Sequence, residues 1–412
     1  MTSRTAATAL SDRAVPDPAL SDQALPGPVV PAADRRAAGF RFASYGRALT
    51  GHGLRARLDP ARARSVGLAT AARDLLADAG PGAVLVGMIP FAPDADPHLY
   101  IPDSVEAAPL RAAASSSVSA SSTPNPLAGL AGAENPGYRD AVARAVERIG
   151  SGDLSKVVLA RSLDAVAGRD WDAAAVWERL HRQNPAGHSF MVRLPDGSGT
   201  VVGNSPELVA GVRHGRLSSH PLAGSAARQE DPAADRATAS TLARSAKDLA
   251  EHAFVVDHIR TALEPLCADL DVPAVPDLLP TGQLWHLGTL VRGTLHEGLN
   301  CLDAALAVHP TPAICGTPVG AARAAIAELE PEDRGFYGGL VGWMDADGAG
   351  EWALLLRSAV LTGPIARLHA GAGIVAGSDP EAEHRETATK FGTMLAGLGI
   401  TGLDITGTGA NA

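Results

Sequence analysis

Apolar residues recur along this chain with two periods that alternate from one segment to the next. Residues 68–78 have helical spacing. So do Tyr138, Val142, Ala145, Val146 and Ile149, which Gly150 and Gly152 then stop. Other segments predict strands. A short alternating signal lies in FRFASYGRAL, just after Gly39, and a continuous apolar run covers 83–91. A strand is predicted over 156–166, where Lys156, Val158 and Ala160 share one face. Residues 189–193 and 200–202 read as paired strands about the turn Pro195-Asp196-Gly197, and strands over 207–212 and 216–220 follow. Helices are predicted over 171–183, 235–266 and 321–329, and a strand over 284–294. A hairpin is predicted from 336–345 and 351–361 about Asp347-Gly348. The pattern closes on a strand over 366–370, a turn at Ser378-Asp379-Pro380 and a terminal helix.

Many hairpin-linked strands with a few long helices argue for an α+β fold with antiparallel sheets, not a parallel βαβ series. No internal repeat is present. Residues 1–36 are rich in Ala, Pro, Asp and Ser and read as a disordered tail. The SSSVSASSTPNP cluster within 112–132 reads as a flexible surface connection. Residues 37–134 are then the N-terminal part of a single domain whose core spans 135–402, with a short tail over 403–412.

Composition removes several classes of function. The 412 residues are 46% apolar and carry a net charge of −10, with no block of Lys or Arg. That balance argues against nucleic acid and membrane surfaces as partners, and an anionic substrate would need a local positive site or a metal. Cys267, Cys301 and Cys315 have no CxxC spacing and suit a reducing cytoplasm. No signal peptide or membrane-length apolar run is seen, so a cytoplasmic protein is expected.

The densest chemistry lies in GAGIVAGSDPEAEHRETATK, 371–390. Gly371 and Gly373 expose backbone N–H groups. Glu383, Glu386, Thr387 and Lys390 share a helical face. The pair Asp248 and Glu251 repeats the Glu383/Glu386 spacing on another helix, and two such pairs suit one Mg²⁺. Read singly, each pair also suits a solvated helix face. GAGIVAG lacks the spacing of a dinucleotide fingerprint. Lys156 at the start of an apolar strand either snorkels outward or enters a cavity as a base. Glu207, fixed behind Pro206, has the position of a general acid or of an exposed turn carboxylate. Arg357 is an unexpected charge in the strand-like WALLLRSAV and needs a carboxylate partner, from a substrate or from the protein. His286 and His309 read as core or turn histidines.

Ten ordered stretches carry a resemblance. They are SKVVLAR (155–161), GNSPELV (203–209), HPLAGSAAR (220–228), AKDLAEH (246–252), LWHLGT (284–289), HPTPAICGTP (309–318), DRGFYGGLVGW (333–343), EWALLLRSA (351–359), AGAGIVAGSDP (370–380) and RETATK (385–390). In this order they resemble the chorismate-utilising enzymes, closest to isochorismate synthases of the siderophore type. GMIPFAPD (87–94) and LYIPDS (99–104) extend the likeness. The resemblance implies a sandwich of antiparallel sheets with flanking helices and Mg²⁺-dependent conversion of chorismate to isochorismate. Lys156 would take a proton from the water that attacks ring carbon 2, and Glu207 would protonate the departing 4-hydroxyl. Glu251 and Glu386 would hold Mg²⁺, with Asp248 and Glu383 acting through water. Arg357, Lys390 and the backbone at Gly224 and Gly371 would hold carboxylates, and His286 and Ala313 would line the pocket. Lysine at 156 separates the water-using members from the amine-forming ones, which carry glutamine there. Tyr337 and Ile314 leave open whether pyruvate is lost to give salicylate, and a non-catalytic chorismate-binding member is the further alternative. A monomer feeding siderophore or menaquinone synthesis is expected.

Overall fold

The computed structural model describes residues 38–110, 125–281, 284–401 and 403. The N-terminal tail, all but one residue of the C-terminal tail and most of the Ser-rich connection lie outside the described residues. The fold is α+β, and the described strand pairs are antiparallel. One sheet has the order Gly316–Thr317, Lys156–Ala167, Ile365–Ile374, Ser358–Thr362, Thr200–Ser205, His188–Arg193, Ala38–Ser44, Arg47–His52, Ser104–Pro109. Leu127–Ala131 also pairs with Lys156–Ala167, so part of the expected surface connection is a strand. A second sheet runs Cys267–Asp271, Val291–Leu295, Arg216–His220, Leu208–Arg213, Gly350–Leu354, Leu340–Asp345, Val84–Ile89, His98–Ile101, Ala56–Arg57. Leu222–Ala227, Leu284–Gly288 and Asp277–Pro280 form a small third sheet.

Alternating side chains of the two large sheets meet in a common apolar layer. Phe40, Phe42, Phe190 and Val192 from the first pack with Val86, Met88, Val341 and Trp343 from the second. Helices cover the outer faces. Pro380–Leu398 and Ala173–Gln183 lie on the first sheet through Leu163, Leu368, Phe391 and Leu180. Helices Leu68–Ala79, Ala246–Leu263 and Cys301–Val308 pack in the core that includes Leu85, Leu340 and Trp352. Among the described residues no helix is long and apolar enough to cross a membrane.

Three expected elements are interrupted, each near the cavity described below. The helix expected over 235–266 is two helices, Pro232–Leu242 and Ala246–Leu263. Ser245 breaks it by capping the second helix, its hydroxyl accepting from the Asp248 N–H at 3.3 Å. The strand expected over 284–294 divides into Leu284–Gly288 in the small sheet and Val291–Leu295 in the second large sheet. The strand expected over 351–361 breaks at Arg357, whose φ of 48° is incompatible with a strand. Arg357 therefore stands in a crossover, not in a strand.

Candidate active site

Two sheet-to-sheet crossovers set the geometry. The chain leaves the first sheet at Ser205 and enters the second at Leu208. It returns from Leu354 to Ser358. The crossovers are laced by their backbones: Leu354 N–H donates to Glu207 O and Asn204 N–H donates to Arg357 O, both at 3.1 Å. Glu207 and Arg357 thus stand on two linked crossovers where the sheets part. A left-handed backbone at a non-glycine residue is the kind of strain that surrounding structure must hold in place.

Strands Lys156–Ala167 and Ile365–Ile374 supply the adjoining wall. Their register sets Val158 opposite Gly373, Ala160 opposite Gly371 and Ser162 opposite His369. Lys156 lies on the same face by alternation, as its sequence period predicts. The glycine leaves room for the lysine: a Cβ at Gly373 would lie 2.9 Å from Lys156 Cε and 3.7 Å from Glu251 Oε1, so a side chain there would push the Lys156 end aside. A cavity of about 310 Å³ opens here, and Lys156, Glu207, Gly224, Asp248, Glu251, His286, Ala313, Arg357, Gly371, Glu383, Glu386 and Lys390 all line it. The cavity therefore gathers every residue to which the resemblance gives a role, while Thr387 and His309 lie outside its lining.

Several of the charges in this cavity are paired. Lys156 Nζ is 2.5 Å from Glu251 Oε1. Burial raises the proton affinity of Glu251, but the Lys156 ammonium outweighs it and the carboxyl titrates below its usual range. Lys390 Nζ donates to Glu386 Oε1 at 2.7 Å and to Gly371 O at 2.8 Å. Ser378 Oγ donates to Glu383 Oε1 at 2.7 Å. Glu383 is nevertheless pushed up, first by burial and then by the neighbouring Glu386. Burial pulls Arg357 down, opposed by the Tyr337 hydroxyl and Glu386. The Arg357 guanidinium also donates to Lys390 O at 3.2 Å.

Glu207 is of a different kind. It is 3% exposed and has no cationic partner among the described residues, so burial raises it from 4.5 to about 8, against the Leu222 backbone, which lowers it. It holds a proton at neutral pH. His286 is held neutral, its pKa near 3, by burial and by the facing Arg357 and Lys390.

Buried side chains hold these elements in place. Arg161 Nε donates to Thr387 Oγ1 at 2.7 Å, fixing the terminal helix on the Lys156 strand. His252 faces Thr289 Oγ1 at 2.7 Å and Ala223 O at 3.2 Å, which sets Glu251 against the Gly224 turn. Arg334 pairs with Glu330 and donates to Ile314 O at 2.9 Å and Val158 O at 2.7 Å. Glu330 Oε1 in turn accepts from Ala160 N–H at 2.7 Å. This clamp fixes the wall bearing Ala313 and Ile314. Ser378, His369 and the Glu330–Arg334 pair were given no role from the sequence. A serine before a helix start and a charge pair four apart at a helix end have no distinctive local signature.

Two helices thus present four carboxylates to one cavity, which suits a hard divalent cation. Among the described residues no three His, Cys, Asp or Glu side chains are drawn together tightly enough to enclose a metal by themselves. Mg²⁺ keeps several waters and takes few carboxylates, so Glu251 and Glu386 with water and a substrate oxygen fit it.

Comparison with known proteins bears on the family and the fold. A family model described as "Chorismate binding enzyme" matches residues 79–399. Isochorismate synthase DhbC of Bacillus subtilis is 42% identical over 64% of this chain and 68% of its own length. Isochorismate synthase EntC of Escherichia coli K12 is 41% identical over 77% of this chain and 81% of its own length. The crystal structure of a putative 2,3-dihydroxybenzoate-specific isochorismate synthase, DhbC from Bacillus anthracis, superposes with a TM-score of 0.79 at 35% identity, covering 88% of this chain and 96% of that one.

Proposed function

The chain belongs to the chorismate binding enzyme family, and on that premise we propose that it is an isochorismate synthase, an isomerase that moves the hydroxyl of chorismate from ring carbon 4 to ring carbon 2. The observation that carries the reading is the placement of Lys156 and a protonated Glu207 on one cavity. Displacement across an allylic system requires a base beside the incoming water and an acid beside the leaving hydroxyl. Lys156, acting in this step as the neutral amine once its ammonium has released a proton to solvent, takes a proton from the water that adds at carbon 2. Glu207 gives its proton to the 4-hydroxyl, which departs as water. One hydroxyl is gained, one is lost, and the ring carries no net change.

Chorismate is a dianion entering an acidic protein. Arg357 and Lys390 supply fixed positive charge, and the backbone near Gly224 and Gly371 supplies donors. His286 and Ala313 shape the wall. Mg²⁺ bound through Glu251 and Glu386, with Asp248 and Glu383 reaching it through water, would supply the charge that a substrate carboxylate needs. Glu251 engaged by such a cation would hold the Lys156 nitrogen less tightly, and the neutral amine could then meet water. The product would feed a catechol siderophore or menaquinone route.

The test is incubation of the purified protein with chorismate and Mg²⁺, with and without EDTA, and chromatography of the products. An isochorismate–chorismate mixture that EDTA abolishes is expected. Salicylate with pyruvate would instead assign a salicylate synthase. Chorismate binding without turnover would assign a non-catalytic binding protein.

A further inference from the structure

The cations of the cavity are not equivalent. Lys156, Arg357 and Lys390 are half-buried, and each makes a hydrogen bond within the site. Lys247, at the start of the helix that carries Asp248 and Glu251, lines the same cavity but is exposed. Among the described residues it makes no hydrogen bond or ion pair. Asp248, Glu251, Glu383 and Glu386 line the same cavity, and the protein's net charge is −10. An approaching dianion therefore meets these carboxylates, with the exposed charge of Lys247 among them.

We infer that Lys247 captures the dianionic substrate at the cavity mouth, and that the same charge holds down the affinity of the carboxylates for the divalent cation. The inference rests on the functional reading above. Charge reaches about 8 Å in physiological salt, so distant basic residues cannot replace one at the rim. Lys247 lines the same cavity as the metal-side carboxylates and is next to Asp248 in the chain. A positive charge placed there opposes a second cation, while it attracts the dianionic substrate. Removing the charge must move the two affinities in opposite directions, which a purely structural role for Lys247 would not do.

The experiment compares Lys247→Gln and Lys247→Arg with the wild-type protein. Both variants should keep the melting temperature, because the side chain is exposed. Lys247→Gln should lower kcat/KM for chorismate roughly 3- to 10-fold at low ionic strength, with kcat retained and a shallower dependence on salt. Calorimetric titration of the metal-free variant with Mg²⁺ should show binding tightened roughly 3-fold. Lys247→Arg should behave as wild type in both assays. An active wild type with an unaltered Lys247→Gln variant, or weakened Mg²⁺ binding in that variant, overturns the inference alone. A wild type without turnover overturns the functional reading and the capture role with it.

Discussion

Glu207→Gln separates the proton on this residue from its shape. The buried carboxyl keeps its proton up to about pH 8, whereas the same group in an unfolded chain releases it near 4.5. Between those values the unfolded chain has lost a proton that the folded chain retains, so folding stability falls as pH rises. The slope is about 1.4 kcal/mol per pH unit, which amounts to about 3 kcal/mol between pH 5 and 7. Below 4.5 both states are protonated and the effect vanishes. Above 8 it levels off. Glutamine has nearly the same shape and does not titrate. All other ionisable groups are shared, so the difference between the two proteins isolates this site. Urea unfolding at pH 5, 6, 7 and 8 should show the variant gaining about 3 kcal/mol on the wild type between pH 5 and 7. The same variant should lose roughly 10²- to 10⁴-fold in kcat, because an amide cannot protonate the leaving hydroxyl. Parallel stability curves would refute the claim that burial holds the proton on Glu207. Near-normal turnover would refute its role as the acid.

Other expectations follow from the same geometry. Gly373→Ala places a methyl 2.9 Å from Lys156 Cε, and displacing the base should cut kcat by about 10²-fold with little change in melting temperature. Lys156→Met should lower kcat roughly 10²- to 10⁴-fold while calorimetry still detects chorismate binding. Glu251→Gln and Glu386→Gln should each raise the Mg²⁺ concentration needed for half-maximal activity, and EDTA should silence the wild type reversibly. Arg334→Met leaves Glu330 buried without its partner and should cost about 3–5 kcal/mol in denaturant unfolding.

Much of the site was legible because its residues are locally improbable. A lysine at the head of an apolar strand and an arginine within WALLLRSAV each break a local pattern, while the paired carboxylates on two helices gained meaning only from the order of the motifs that joined them. The sheet-to-sheet crossovers were not legible. The run 351–361 reads as one strand because Leu354, Leu355 and Leu356 are apolar; only tertiary hydrogen bonds from the neighbouring crossover reveal the turn at Arg357. The break before Ser245 was hidden for a similar reason, since alanines on both sides continue a helical pattern and a single hydroxyl cap ends it. Short partner strands such as Asp277–Pro280 and Ala56–Arg57 were missed because they carry too few residues to show a period. The buried clamps, Arg161 with Thr387 and Arg334 with Glu330, join distant or ordinary-looking polar residues. Their meaning appears only once the elements are packed.

The account stands on water adding at ring carbon 2 between Lys156 and Glu207. The most direct test is to run the reaction with chorismate and Mg²⁺ in water enriched in ¹⁸O and to weigh the isolated product by mass spectrometry. The account predicts isochorismate heavier by two mass units, with the label in the carbon-2 hydroxyl. Unlabelled isochorismate would mean that the hydroxyl migrates without solvent water, and the base–acid arrangement proposed for Lys156 and Glu207 would be contradicted.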